Sequence, residues 1–206
     1  MAIVFAGASN VLNAGLATAQ LGFSERVAAC FDRKLIKIAV AGASNSFLIR
    51  NINEYIEHEE PDLLIVTWQT WEREEGLHEG GYYQINSSDC HLPKILQKLH
   101  KQWIASLPDD IKLLGQKWHD KVWQLHQQLK QKNIKHLFYN EMYPFTTTNR
   151  QIWHHNFIDP YDNDSSFFWW LHNRGYSSDK TYHYDAQGHR AWADRLISYI
   201  KEHKLL

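Results

Sequence analysis

Two rhythms of apolar and polar positions run along the chain. "AIVFAG" (2–7), "LIKIAVAG" (35–42) and "DLLIVTW" (62–68) are short, nearly unbroken apolar runs, and "IKHLFYN" (134–140) is a fourth, more mixed one. Continuous apolar runs of this length are the pattern of strands covered on both faces. Between them the spacing changes to three and four. Ser24 is placed to cap "SERVAACFDR", a helix carrying Val27, Cys30 and Phe31 on one side. From Ser46 to His58, residues Leu48, Ile49, Ile52, Tyr55 and Ile56 repeat with a helical period. Helices are also predicted over 92–106 and 110–131, the second with a stripe of Leu114, Trp118, Val122, Leu125 and Leu129. A last helix starts near Asp185 and buries Trp192, Leu196, Ile197 and Ile200.

Two segments break the pattern. Residues 74–91, "EEGLHEGGYYQINSSDCH", have no period and read as a long loop. Residues 141–182 hold one short helical candidate, "SSFFWWLHNRGY", among turn-rich stretches. Strands alternating with helices predict an α/β fold: a three-layer α/β/α sandwich on a four- to five-stranded parallel sheet. The 206 residues fit a single domain, 1–206.

Composition narrows the function classes. Lys and Arg number 22 against 23 Asp and Glu, so no strong field favours nucleic acid or an anionic membrane. The expected partner is a small or neutral substrate, and oligomeric state is left open. Cys30 and Cys90 are the two cysteines, too few for a disulfide framework, and "MAIVFAGASN" lacks the features of a signal or membrane segment. A soluble, cytoplasmic protein is the expectation. Nine Trp and ten Tyr suit stacking on sugars as well as core packing.

The pentapeptide "AGASN" occurs at 6–10 and again at 41–45, each time after a predicted strand. The residues that follow, "VLNAGLATAQ" and "SFLIRNINEY", do not match, which argues against a duplicated unit. What the two copies share is position, because the carboxyl ends of parallel strands form the binding crevice of such sheets. Gly allows a sharp turn there, while Ser and Asn supply a hydroxyl, an amide and backbone N–H groups. Helix N-capping by Ser or Asn accounts for the same residues, and both readings stay open.

Near the C-terminus stands "SSDKTYHYDAQGHRAWADRLISYI", with Asp179, His183, Asp185 and His189. With this block the chain resembles the SGNH, or GDSL-type, hydrolase superfamily of esterases and lipases, as a divergent subgroup like those of phage and bacterial genomes. The resemblance implies a flavodoxin-like α/β/α fold and a Ser-His-Asp triad. It places the nucleophile at Ser9, in Gly7-Ala8-Ser9, the general base at His183 and the orienting carboxylate at Asp179. Gly42 and Asn45 match the second block, whose Gly gives an oxyanion N–H. Asp185 then reads as the cap of the last helix and His189 as structural.

The chain departs from the family pattern in four places. Ala8 stands for the block-one Asp and Asn10 for the Leu after Ser, and the Asp-to-His spacing is one residue longer. After the third strand the family has Gly-x-Asn-Asp, whereas this chain reads "VTWQTWEREE". Gln69 is the amide available to replace the missing Asn, with Thr70 a weaker donor. Trp68, Trp71 and Arg73 follow the same strand and are expected at the cleft mouth, although Arg73 pairing with Glu74 or Glu75 on the surface is equally open.

Other chemistry is less well supported. No His or Cys pair has a zinc spacing, and "DPYDNDSS" lacks the Gly and Glu of a calcium loop. Neither a P-loop nor a dinucleotide fingerprint follows the first strand, so no metal or cofactor is expected. The resulting expectation is an esterase, with no cofactor, acting on an O-acyl ester of a small molecule or glycan. A catalytically inactive SGNH-like module that binds a glycan or a protein is the alternative.

Overall fold

The computed structural model describes residues 1–85, 94–107 and 111–206. A parallel sheet of four strands forms its centre, in the order β2-β1-β3-β6. Strand β1 (Ala2–Gly7) pairs with β2 (Lys34–Ala39) on one side and β3 (Leu63–Trp68) on the other, and β3 pairs with β6 (His136–Asn140). Every residue of β1, β3 and β6 is buried, which is why β1 and β3 read as nearly unbroken apolar runs, while β6 buries His136 and Asn140 with its apolar residues.

Alternate side chains divide the core into two layers. Val4, Ala6, Leu64, Val66 and Phe138 pack with Leu48, Ile52 and Ile56 of helix α2 (Asn45–His58). Trp118, Val122, Leu125 and Leu129 of α4 (Ile111–Gln131) complete that layer. Ile3, Phe5, Leu63, Ile65, Leu137 and Tyr139 face the other way. They meet Phe23 and Val27 of α1 (Phe23–Cys30) and Trp192, Leu196 and Ile200 of α6 (Ala186–Glu202). The molecule is therefore the three-layer α/β/α sandwich that the strand and helix periods predict.

Several local expectations are corrected. Helix α1 is capped by Gly22, and Ser24 lies inside it, fully buried. Its buried stripe is Phe23, Ser24, Val27 and Ala28, so Cys30 turns outward and is an exposed free thiol. Cys90 lies outside the described residues. The segment 74–91 contains a hairpin, β4 (Glu74–His78) and β5 (Gly81–Ile85). Glu79 (φ 48°) and Gly80 (φ 78°) form its two-residue turn, and positive φ at both positions matches the twist of the flanking strands. Polar residues and Gly76 within β4 mask the alternation in the sequence; residues 86–93 lie outside the described part. Ile197 is only partly buried on α6.

Helix α3 (Lys94–Ser106) precedes α4, and a short helix α5 (Phe167–His172) lies in the irregular last third. Ser166 caps α5, accepting from Trp169 N at 3.4 Å, just after the turn that Asp162 caps. Among the described residues no helix is long and apolar enough to cross a membrane.

Candidate active site

Strand order reverses between β1 and β3, since the chain first steps outward to β2 and then returns past β1. In open α/β sheets the crevice at such a point, beyond the carboxyl ends of the strands, is where ligands bind. Ser9 follows β1, Thr70 follows β3 and Glu141 follows β6, so all three emerge on that edge.

The chain after β1 winds through tight turns. Val11 N donates to Ala8 O at 3.0 Å and Ala14 N to Ser9 O at 3.0 Å. Gly7 has to be Gly in this packing, because a Cβ there would lie 2.5 Å from Val11 Cγ2 and 3.3 Å from Thr67 Cβ. The winding ends at Gly15 (φ 88°), which lies directly against the backbone of His183 and Tyr184.

His183 comes from the far end of the chain, and its Nε2 lies 2.9 Å from Ser9 Oγ. The loop that carries it is held on both sides. Asp179 N donates to His183 O at 2.9 Å, and buried Tyr184 donates its hydroxyl to Phe168 O at 2.9 Å. Asp185 caps α6 through Gln187 N and Gly188 N, as its place before the helix predicts. His189 is fully buried, accepts from Phe23 N at 3.2 Å and stacks on the Phe23 ring.

Asp179 reaches His183 mainly through a third residue. Its Oδ2 is 3.6 Å from His183 Nδ1, longer than a hydrogen bond. Thr181 Oγ1 lies between them, 2.8 Å from His183 Nδ1 and 2.7 Å from Asp179 Oδ1. The same Oδ1 accepts from Thr181 N at 2.7 Å and His183 N at 3.0 Å. The Thr181 hydroxyl foremost, and then these backbone donors, hold the Asp179 carboxyl down at about 2, so it is ionised at any pH near neutral.

Ser9 and His183 line a cavity of about 70 Å³ together with Asn10, Thr70, Arg73 and Glu141. Met142, Phe168 and Tyr182 form its apolar side. Wider surface depressions lie between α2 and α4, about 350 Å³, and along β2 and α2, about 500 Å³. Neither contains a hydroxyl paired with an imidazole, so the small cavity is the chemical candidate.

The remaining predicted residues divide between this cavity and its supports. Asn10 donates to Glu141 Oε1 at 2.8 Å, tying the tip of β1 to that of β6. Arg73 donates to Gln69 Oε1 at 2.8 Å and lies 3.8 Å from Glu141 Oε2, while Glu75 pairs with Arg50 and Glu74 with Ser46. The Gln69 amide is held at both ends, Nε2 donating to Thr67 O and Oε1 accepting from Arg73, and it does not line the cavity. Thr70 does, and its buried hydroxyl has no partner.

Trp68 and Trp71 belong to the core instead of the cleft mouth. Trp68 packs edge-on against Phe138, and Trp71 stacks on Phe145 while its carbonyl accepts from Trp118 Nε1. Gly42 (φ 70°) turns the chain after β2, Ser44 caps α2 by accepting from Phe47 N, and Asn45 binds the Gln69 backbone. The second AGASN is thus built into the frame, and none of its residues lines the Ser9 cavity. Among the described residues no group of three His, Cys, Asp or Glu side chains is placed to hold a metal ion.

Glu141, Gly15 and Thr181 are absent from the sequence reading. Glu141 follows the last residue of β6, so the strand-end rule that selects Ser9 would also have selected it. The longer Asp179–His183 spacing was the only signal for Thr181.

No family profile and no curated protein matches the chain. Solved structures do. A lipase from a goat rumen metagenome superposes with a TM-score of 0.55 at 15% identity, covering 97% of both chains. The fold resembles that of a solved lipase. An acetyl xylan esterase from Butyrivibrio proteoclasticus gives 0.44 at 10% identity over 99% of this chain. A carbohydrate esterase gives 0.46 at 14% identity over 97%. This chain spans 64% of the length of each of these two. At such identities the likeness concerns the fold.

Proposed function

We propose that the protein is a single-domain serine ester hydrolase of the SGNH type, cleaving a short O-acyl ester. The observation that carries this reading is the 2.9 Å contact between Ser9 Oγ and His183 Nε2, made across 174 positions of sequence. A serine hydroxyl is a weak nucleophile until an imidazole accepts its proton. His183 takes that proton as Ser9 attacks the ester carbonyl, then delivers it to the departing alkoxide. Water, deprotonated by the same imidazole, releases the acyl group from Ser9. The backbone N–H of Ser9 receives the oxyanion, and the Thr70 hydroxyl supplies the second donor in place of Gly42 and Gln69, which do not line the cavity.

The cavity supports a small acyl group. Its volume of about 70 Å³ is small, which suits an acetyl group better than a long acyl chain. A carbohydrate alcohol is the proposed leaving group, in keeping with the polar groups of Asn10, Arg73 and Glu141 beside Ser9.

A fluorophosphonate probe tests the reading, with the labelled peptide mapped by mass spectrometry in wild type, Ser9→Ala and Ser44→Ala. The expected label is on Ser9, lost in Ser9→Ala and kept in Ser44→Ala, with p-nitrophenyl acetate hydrolysed faster than longer esters. The engaged Gln69 amide favours a second reading, a binding module without turnover. An unlabelled wild type that hydrolyses no acetyl ester would put that reading first.

A further inference from the structure

The Asp-to-His spacing that departs from the family pattern has a structural counterpart. Asp179 and His183 close a three-residue loop, Lys180-Thr181-Tyr182, through Asp179 N to His183 O, and Ser178 and Tyr184 bridge just outside it. Tyr182 adopts φ 63°, the left-handed conformation that ends three-residue hairpin loops. The loop brings one hydroxyl, that of Thr181, between the carboxylate and the imidazole.

Donor and acceptor chemistry fixes the direction of this chain of hydrogen bonds. An ionised carboxylate only accepts, so the single Thr181 O–H points at Asp179 Oδ1. Thr181 Oγ1 then has lone pairs alone to offer His183 Nδ1, which must carry the imidazole proton. With the proton on Nδ1, Nε2 is left as the acceptor facing Ser9 Oγ. The side chain of Asp179 is about half exposed (51%), so its direct attraction to the imidazole 3.6 Å away is screened by water.

We infer that Thr181 is a positioning residue that sets the His183 tautomer by relaying the Asp179 carboxylate to Nδ1. The site thus works as the series Ser9, His183, Thr181, Asp179. Resting on Ser9 as nucleophile and His183 as base, the inference adds a member to that reading. During attack the Ser9 proton moves to Nε2, and the imidazolium Nδ1–H is held by Thr181 Oγ1 while the threonine proton stays with Asp179. No proton needs to pass along the relay.

Thr181→Val and Thr181→Ser separate this role from a structural one. Valine keeps the shape and the backbone N–H that binds Asp179 but removes the hydroxyl, and serine restores the hydroxyl. With p-nitrophenyl acetate, Thr181→Val should lower kcat about 10- to 100-fold, within the range of general-base catalysis. KM and the melting temperature should stay near wild type, and the ascending limb of the kcat–pH profile should move to lower pH. Thr181→Ser should restore most of kcat and the original limb. Wild-type kcat and pH profile in Thr181→Val, or equal loss in the Val and Ser variants, would overturn the relay. The fluorophosphonate reaction tells the two failures apart. A wild type unlabelled at Ser9 removes the nucleophile and the relay together, whereas equal labelling rates in wild type and Thr181→Val remove the relay alone.

Discussion

Asn45 holds the backbone of Gln69 with both ends of its side-chain amide, donating Nδ2–H to Gln69 O at 3.1 Å and accepting from Gln69 N at 2.8 Å. Both residues are buried, so the first residue of α2 fixes the chain where it leaves β3. Thr70 and Arg73, which line the Ser9 cavity, begin from that point. Asn45→Ala leaves a buried N–H and a buried C=O without partners, each worth about 1–3 kcal/mol. Urea unfolding should therefore show a loss of about 2–6 kcal/mol, with turnover reduced in the fraction that remains folded.

Gly15 governs the approach of His183 to Ser9. A Cβ added there would lie 2.6 Å from Tyr184 O and 3.0 Å from His183 Cβ, at a backbone φ of 88° that a side chain tolerates poorly. The contact is with backbone, so the loop carrying His183 has to yield. Gly15→Ala is expected to lower kcat about 10-fold or more, because misplacement by an ångström is enough to cost two orders of magnitude. Unchanged kcat in a folded Gly15→Ala protein would show that the loop is not positioned by this contact.

Thr70 supplies the test of the oxyanion assignment. Loss of one such donor lowers kcat by roughly 100- to 1,000-fold where it is a main contributor. Thr70→Val should do so with little change in KM, while Gln69→Glu should act chiefly on stability. Steady-state kinetics and thermal melts of the two variants distinguish these effects.

Three histidines buried without charge make the fold sensitive to acid. His136 Nδ1 faces Ile134 O at 2.8 Å, so it carries the proton, and His136 Nε2 accepts from His126 Nδ1 at 2.7 Å. Burial lowers His126 to about 3, assisted by repulsion from His136, Lys130 and His154. It lowers His136 to about 4, and Lys130 acts in the same direction. His189, on the other face of the sheet, is likewise lowered to about 4 by burial. Folded-state values below the ordinary 6.5 mean that the unfolded chain binds protons first as pH falls. Their contribution is complete above about pH 6.5 and is lost progressively from there toward pH 4, by up to about 1.4 kcal/mol per pH unit for each histidine. Urea midpoints between pH 7.5 and 5 measure it, and a flat profile would mean that the imidazoles are charged inside the fold.

The secondary structure was legible wherever one period dominated. Leu63 to Trp68 are all buried and read as a strand, and the stripe from Trp118 to Leu129 reads as one face of a helix. The hairpin over 74–85 was not legible, because Gly76 and the glutamates break its alternation and its turn depends on two positive φ values. Helical spacing groups Cys30 with Val27 and Phe31, whereas the buried stripe runs through Phe23, Ser24, Val27 and Ala28 and leaves Cys30 on its solvent side.

Within the candidate site, what the sequence by itself determined was a set of residue types at strand ends: Ser9 after β1, and Asp179 and His183 ahead of a capped last helix. The strand end and the helix cap are local facts, set by periodicity within a few residues, while the choice of Ser9, His183 and Asp179 follows from the resemblance of their short blocks to SGNH-type hydrolases. The tertiary structure decided which of them meet. It brought His183 to Ser9, placed Thr181 between His183 and Asp179, and buried Trp68, Trp71 and Gln69 behind the tip of β3. It also turned the two AGASN copies to different ends, one toward the cavity and one into the frame. Identical pentapeptides share a local preference for turning after a strand. Their surroundings differ because β1 lies inside the sheet, beside the point where the strand order reverses, while β2 lies at its edge.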